Sequence, residues 1–229
     1  MVYACMPYRL DVPQPADRNL MSRTQKLLFP LIALVLLLMG AILYQVLSGS
    51  EADERASLLE AGIVLLPQPR NLPAMEMIDQ NEQPVALNEL KGQWSLLFFG
   101  YTFCPDICPT TLAELRQLDE RLPADVKDRI RMVLVTVDPE RDTPQQLKQY
   151  LAYFGPDFVG LNGSMDQIKA LASRVSIPFI PPDTSKPGYT VDHSGNLVVI
   201  GPDGTQRGFI RSPLDIDKLT EQLPRLMAQ

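Results

Sequence analysis

An α/β domain behind an N-terminal transmembrane helix is predicted by three features of the sequence. An uncharged apolar run, Leu27 to Leu47, stands near the start. Two more apolar runs, WSLLFFG from Trp94 and RMVLVTV from Arg131, have the unbroken hydrophobicity of strands buried on both faces. Amphipathic segments alternate with them, as crossover helices do between parallel strands.

The apolar run reads LLFPLIALVLLLMGAILYQVL. At ~1.5 Å per residue it reaches roughly 30 Å, one hydrocarbon thickness. Pro30 falls near its start, where a helix tolerates proline best. Arg18, Arg23 and Lys26 precede the run, while Glu51, Asp53 and Glu54 follow it with only Arg55 positive nearby. The positive-inside rule then leaves residues 1–26 in the cytoplasm and the chain beyond residue 48 in the periplasm. This describes a single-pass protein of the inner membrane. A cleaved signal peptide is the rival reading, but its apolar region is usually only ~7–15 residues long. Ser48-Gly49-Ser50 is a weak cleavage site, so residues 27–47 are read as an uncleaved anchor. Residues 1–20 carry Pro7, Pro13 and Pro15 without periodicity, and Met21 reads as a better start. Cys5 falls on the cytoplasmic side, away from the other two cysteines.

Residues 51–61 read as a short helix or stalk, and Pro67, Pro69 and Pro73 as an extended linker, giving a linker over 48–73 and a folded domain over 74–229. Ala74–Asp79 and Val85–Leu87 flank Gln80-Asn81-Glu82, the pattern of a small hairpin. The Trp94 strand leads into an amphipathic helix at 110–121, and the Arg131 strand into a helix from Thr143 to about Phe154. Thr143-Pro144-Gln145-Gln146 has a capping-box pattern with proline in the first turn. Met165–Val175 reads as a helix and Gly188–Ile200 as a strand. Gly201-Pro-Asp-Gly204 is a turn into a strand at Arg207–Ile210, and Pro213–Met227 a closing helix. A buried first strand running into cysteines at a helix start is the thioredoxin-like arrangement.

Composition narrows the chemistry. Lys+Arg 21 against Asp+Glu 27 gives a net charge of -6, so no nucleic-acid partner is expected, because phosphate binding needs a basic stripe. Three cysteines cannot build a disulfide scaffold, and a single histidine excludes sites that need two, such as HExxH zinc hydrolysis. Interest falls on Gly100-Tyr101-Thr102-Phe103-Cys104-Pro105-Asp106-Ile107-Cys108-Pro109. Cysteines four apart share one helical face with Cβ atoms ~5–6 Å apart. Pro109 suits a first helical position, which puts Cys108 at the cap, where the helix dipole favours a thiolate.

Such a pair can close a disulfide or act as two soft thiolate ligands. His193, the sole histidine, sits on a strand or loop that can return beside them. Two sulfurs and an imidazole suit trigonal Cu(I). Zinc remains open, with water or Asp192 as fourth ligand. A structural disulfide and an uninvolved histidine are the plainer readings. Asp138-Pro-Glu-Arg-Asp142 reads as a charged loop, and Phe98, Phe99 and Phe103 as core.

Three blocks, GYTFCPDICPTTL, VTVDPERDTP and YTVDHSGNLVVIGPDG, resemble in this order the Sco/SenC family of copper chaperones, over about residues 70–227. The resemblance implies a thioredoxin-like fold and one copper per chain, as Cu(I) or Cu(II), held by Cys104, Cys108 and His193. It also implies assistance in assembling the binuclear copper centre of cytochrome c oxidase subunit II, with an upstream copper donor and a periplasmic thiol reductase as further partners. Asp138 and Asp142 match the family's acidic loop, in a structural or partner-facing role. The alternative is a periplasmic thiol–disulfide oxidoreductase acting through Cys104 and Cys108. A third reading, peroxide reduction, needs an Arg and a Thr beside one activated cysteine; Thr102 stands two before Cys104.

Overall fold

The computed structural model describes residues 23–186 and 188–228. The segment carrying Cys5 and the alternative start at Met21 lies outside these residues. The chain divides into two compact units, residues 1–52 and 53–229. Helix α1 (Arg23–Glu60) contains Leu28–Gln45, long and apolar enough to cross a membrane. The helix begins at Arg23, so Pro30 lies inside it rather than in its first turn.

The second unit is built on eight strands: β1 (Ile63–Asn71), β2 (Glu76–Asp79), β3 (Pro84–Ala86), β4 (Trp94–Gly100), β5 (Ile130–Thr136), β6 (Val159–Asn162), β7 (Leu197–Ile200) and β8 (Thr205–Ile210). They form one sheet in the order β1-β8-β7-β4-β5-β6-β2-β3. Helices α2 (Ile107–Arg121), α3 (Ala124–Lys127), α4 (Pro144–Leu151), α5 (Met165–Arg174) and α6 (Ile216–Met227) complete it. Strands β4, β5 and β6 are parallel and the other pairs antiparallel. From Ser95 to Gly100 every residue of β4 is buried, as its unbroken apolar run requires. The β4–β5 register runs from Trp94↔Ile130 to Gly100↔Thr136, so both strands deliver their ends to the same edge of the sheet. In open α/β sheets that edge is where sites form.

The domain starts earlier than its prolines suggest. Residues 63–71, expected as linker, are strand β1, paired with β8. The ladder is interrupted between Leu65 and Arg70, and Pro67 and Pro69 fall in that gap, where no amide is needed. Leu58 and Ala61 are buried, and the Ser57 hydroxyl donates to Gln222 Oε1 on α6 (3.2 Å), so the last turns of α1 also belong to the domain.

The expected long strand over Gly188–Ile200 shrinks to β7. Before it the chain is a loop with one isolated bridge, Phe179↔His193. Ser194 and Asn196 divert backbone groups here: Asn196 N donates to Ser194 Oγ, and Ser212 N to Asn196 Oδ1. Strand β6, absent from the sequence reading, has only four residues. It includes Gly160, where a Cβ would meet Leu151 Cδ1 at 2.8 Å. Helix α4 stops at Leu151, three residues short of Phe154. Thr143 Oγ1 accepts from Gln146 N as its cap, while the Gln146 side chain reaches instead to Thr102 Oγ1.

Candidate metal centre

Strand β4 ends at Gly100 and α2 begins at Ile107, with the motif in the turn between them. Cys104 lies in that turn, its N–H donating to Tyr101 O (3.3 Å). Cys108 lies in the first turn of α2, not at the cap; Asp106 holds that position. The expected dipole-stabilised thiolate is not what the site favours. Burial pushes the Cys108 thiol well above its ordinary pKa, outweighing the Tyr101 N–H that donates to its sulfur (3.4 Å). Gly100 makes room for that sulfur, because a Cβ there would stand 2.7 Å from Cys108 Sγ.

His193 arrives on the loop before β7. Its Nε2 is 3.2 Å from Cys108 Sγ, and its Nδ1 is 2.9 Å from Val191 O. A carbonyl only accepts, so Nδ1 carries the proton and Nε2 presents its lone pair to the sulfur. Val191 N in turn donates to the Tyr101 hydroxyl (3.2 Å), and the Tyr101 ring meets the imidazole edge to face at 5.5 Å. Burial lowers the His193 pKa, against the raising influence of the Val191 carbonyl and Asp192, which keeps the imidazole neutral. Donor atoms of Cys104, Cys108 and His193 all lie within 4.8 Å of one another. Asp192, the alternative fourth ligand, is exposed and stands outside this cluster. Metal–donor bonds of ~2.0–2.3 Å fit such spacings after small side-chain rotations. The set is soft and, among the described residues, short of a fourth protein donor, which suits Cu(I).

Asp138 and Asp142 of the loop after β5 are fully buried, which removes the partner-facing role for these two, while Glu140 between them is exposed. The Asp142 carboxylate accepts from Thr102 N (3.1 Å), Thr102 Oγ1 (2.7 Å) and Thr136 Oγ1 (2.7 Å), tying the cysteine turn to β5. Burial still pushes its pKa up. Asp138 pairs with Arg141 and accepts from the Tyr189 hydroxyl (2.8 Å). Thr102 and Arg141 are thus both committed elsewhere, which argues against peroxide chemistry. Phe98 and Phe99 are core, but Phe103 is 52% exposed beside Cys104, contrary to expectation. Tyr101, Arg141 and Tyr189 went unrecognised in the sequence. Only the Tyr-Thr preceding the first cysteine hinted at any of them.

A parallel-centred α/β sheet with a Cys-x₃-Cys turn and a distant histidine meeting at its edge defines a thioredoxin-like protein with a candidate metal centre. The chain belongs to the SCO1/SenC family, whose model matches residues 67–228. It is 49% identical over 175 residues to a protein of Stutzerimonas stutzeri named for copper binding, covering 76% of this chain and 86% of that one. Of a SCO2-like protein of Rickettsia felis, 42% identical, it spans 63%. The crystal structure of Arabidopsis thaliana ScoI with copper bound is similar at a TM-score of 0.61 and 30% identity, covering 71% of this chain and 98% of that one. Copper-bound yeast Sco1 is similar at a TM-score of 0.65 and 28% identity, covering 70% and 90%.

Proposed function

We propose that this chain is a membrane-anchored copper chaperone. It takes one copper ion from an upstream donor, holds it between Cys104, Cys108 and His193, and passes it toward the binuclear copper centre of cytochrome c oxidase subunit II. The single observation that carries the reading is the three-donor cluster, with a neutral imidazole 3.2 Å from one thiol and within 4.8 Å of the other. The copper in two related solved structures supports copper as the cargo. The apolar helix supports the anchor, and the basic residues before it and acidic residues after it support a domain on the periplasmic side of the inner membrane. Joining the thiols as a disulfide removes two protons and two electrons and destroys two ligands. A thiol reductase must therefore return them before loading.

The test is titration of the full chain, reduced and held in detergent micelles, with Cu(I). One ion per chain is expected, and none for the disulfide form. Failure of the reduced chain to take up a stoichiometric ion overturns the reading.

The affinity carries a pH signature. The raised Cys108 pKa keeps a proton on sulfur near neutrality, and the metal must displace it. Affinity therefore falls by about tenfold or more for each unit that pH drops. The lowered His193 pKa spares the imidazole from competing until further into acid. Competition titrations between about pH 8 and pH 6 measure the slope; a flat profile contradicts thiolate ligation by Cys108.

One observation favours the thiol–disulfide reading as a second activity. Cys104 retains 8% exposure and Cys108 none, the arrangement of an attacking thiol backed by a resolving one.

A further inference from the structure

We infer that Arg141 is a positioning residue that clamps the His193 loop to the cysteine turn; toward copper, this rests on the function proposed above. The loop has few fastenings of its own. Among the described residues, between the Gly188 turn and β7 its other bonds to the domain are the isolated bridge made through Ile180 N and Asp192 O (2.9 Å), Val191 N to Tyr101 Oη, and Ser212 N to Asn196 Oδ1 (3.0 Å) just before β7. Arg141 adds several at one point. Its guanidinium carbon stands 3.6 Å from the Tyr189 ring centroid, in stacking range, and Nη2 donates to Tyr189 O (3.1 Å). Its Nε pairs with buried Asp138, whose other oxygen accepts from the Tyr189 hydroxyl. Tyr189 is therefore gripped at ring, carbonyl and hydroxyl, four residues before His193.

The same guanidinium reaches the other side of the site. It lies 5.1 Å from the ring centroid of Phe103, the neighbour of Cys104, and 5.7 Å from that of Tyr101, which meets the imidazole. Arg141 thus joins both halves of the ligand set without touching any ligand. Groups that orient a ligand in this way typically change metal affinity by about 10–100-fold. A lysine would keep the charge opposite Asp138 but lose the planar fork and the stack.

The experiment compares the untagged full chain with Arg141→Met and Arg141→Lys in detergent micelles. His193 is the sole histidine, so its ring nitrogen signals are unambiguous. In the metal-free protein both variants should exchange the Nδ1 proton about tenfold faster, as expected when the Val191 bond opens more often. In the Cu(I)-loaded protein both should lose copper to a chelator about tenfold faster. Arg141→Lys should melt as the parent does. If Arg141→Met fails to fold, Arg141→Lys decides alone. Parent-like ring exchange and release in Arg141→Lys would reduce Arg141 to a counter-charge for Asp138 and overturn the clamp. A parent chain that takes up no Cu(I) would sink the chaperone reading, while the metal-free ring exchange would still judge the clamp.

Discussion

A chain carrying Cys104→Ala and Cys108→Ala together should take up no Cu(I), and His193→Ala alone should weaken binding by more than the roughly 10–100-fold that loss of a supporting group costs. The cysteine variant removes both soft anions, leaving one imidazole. The histidine variant leaves two thiolates, which satisfy Cu(I) only in part. His193→Ala should also separate the two proposed activities. The imidazole stands 3.2 Å from Cys108, the more deeply buried thiol, while Cys104 keeps the small exposed surface of the pair. Thiol exchange starting at Cys104 should then persist in His193→Ala, whereas copper retention should not. Chelator competition and disulfide-exchange rates on the same preparations give both answers. Parent-like copper affinity in His193→Ala would refute the site.

Asp142→Ala should be the most destabilising change near the site, costing about 3 kcal/mol or more. Three donors, Thr102 N, Thr102 Oγ1 and Thr136 Oγ1, converge on this fully buried carboxylate. Alanine leaves all three without an acceptor in a dry interior, which is where an unmade hydrogen bond costs most. Asp142→Asn keeps the volume and one acceptor and should lose less. Thr102 is two residues from Cys104, so Asp142→Ala should also loosen the turn and weaken copper binding. Urea unfolding measures the first effect and chelator competition the second. A parent-like unfolding midpoint for Asp142→Ala would contradict the structural role assigned to this carboxylate.

The parts legible in the sequence are those written in local pattern. Strands β4 and β5 announce themselves as unbroken apolar runs and the β2–β3 hairpin by its polar turn, while α5, expected over Met165–Val175, is opened in the structure by a full capping box of Ser164 and Gln167. The candidate donors stand out by count and spacing, with two cysteines four apart and a single histidine, and the structure brings their donor atoms within 4.8 Å of one another. What stayed hidden depends on tertiary contact. Strand β1 looked like linker because only its pairing with β8 shows where Pro67 and Pro69 are harmless. Strand β6 is too short to show a period. Cys108 was expected as a cap thiolate because burial by residues remote in sequence cannot be read from the motif. The hold on His193 passes through Tyr101 and Val191, 90 positions apart. No local signal marks a phenol as the acceptor for a distant amide.

The two outermost strands of the sheet both carry proline, Pro67 and Pro69 in β1 and Pro84 at the start of β3, and β3 is three residues long. Neither rim offers an uninterrupted row of free amides. Copies meeting side by side therefore have no template on which to zip together, and fibrillar growth through backbone pairing is blocked at both ends. Association between copies is then left to contacts between side chains.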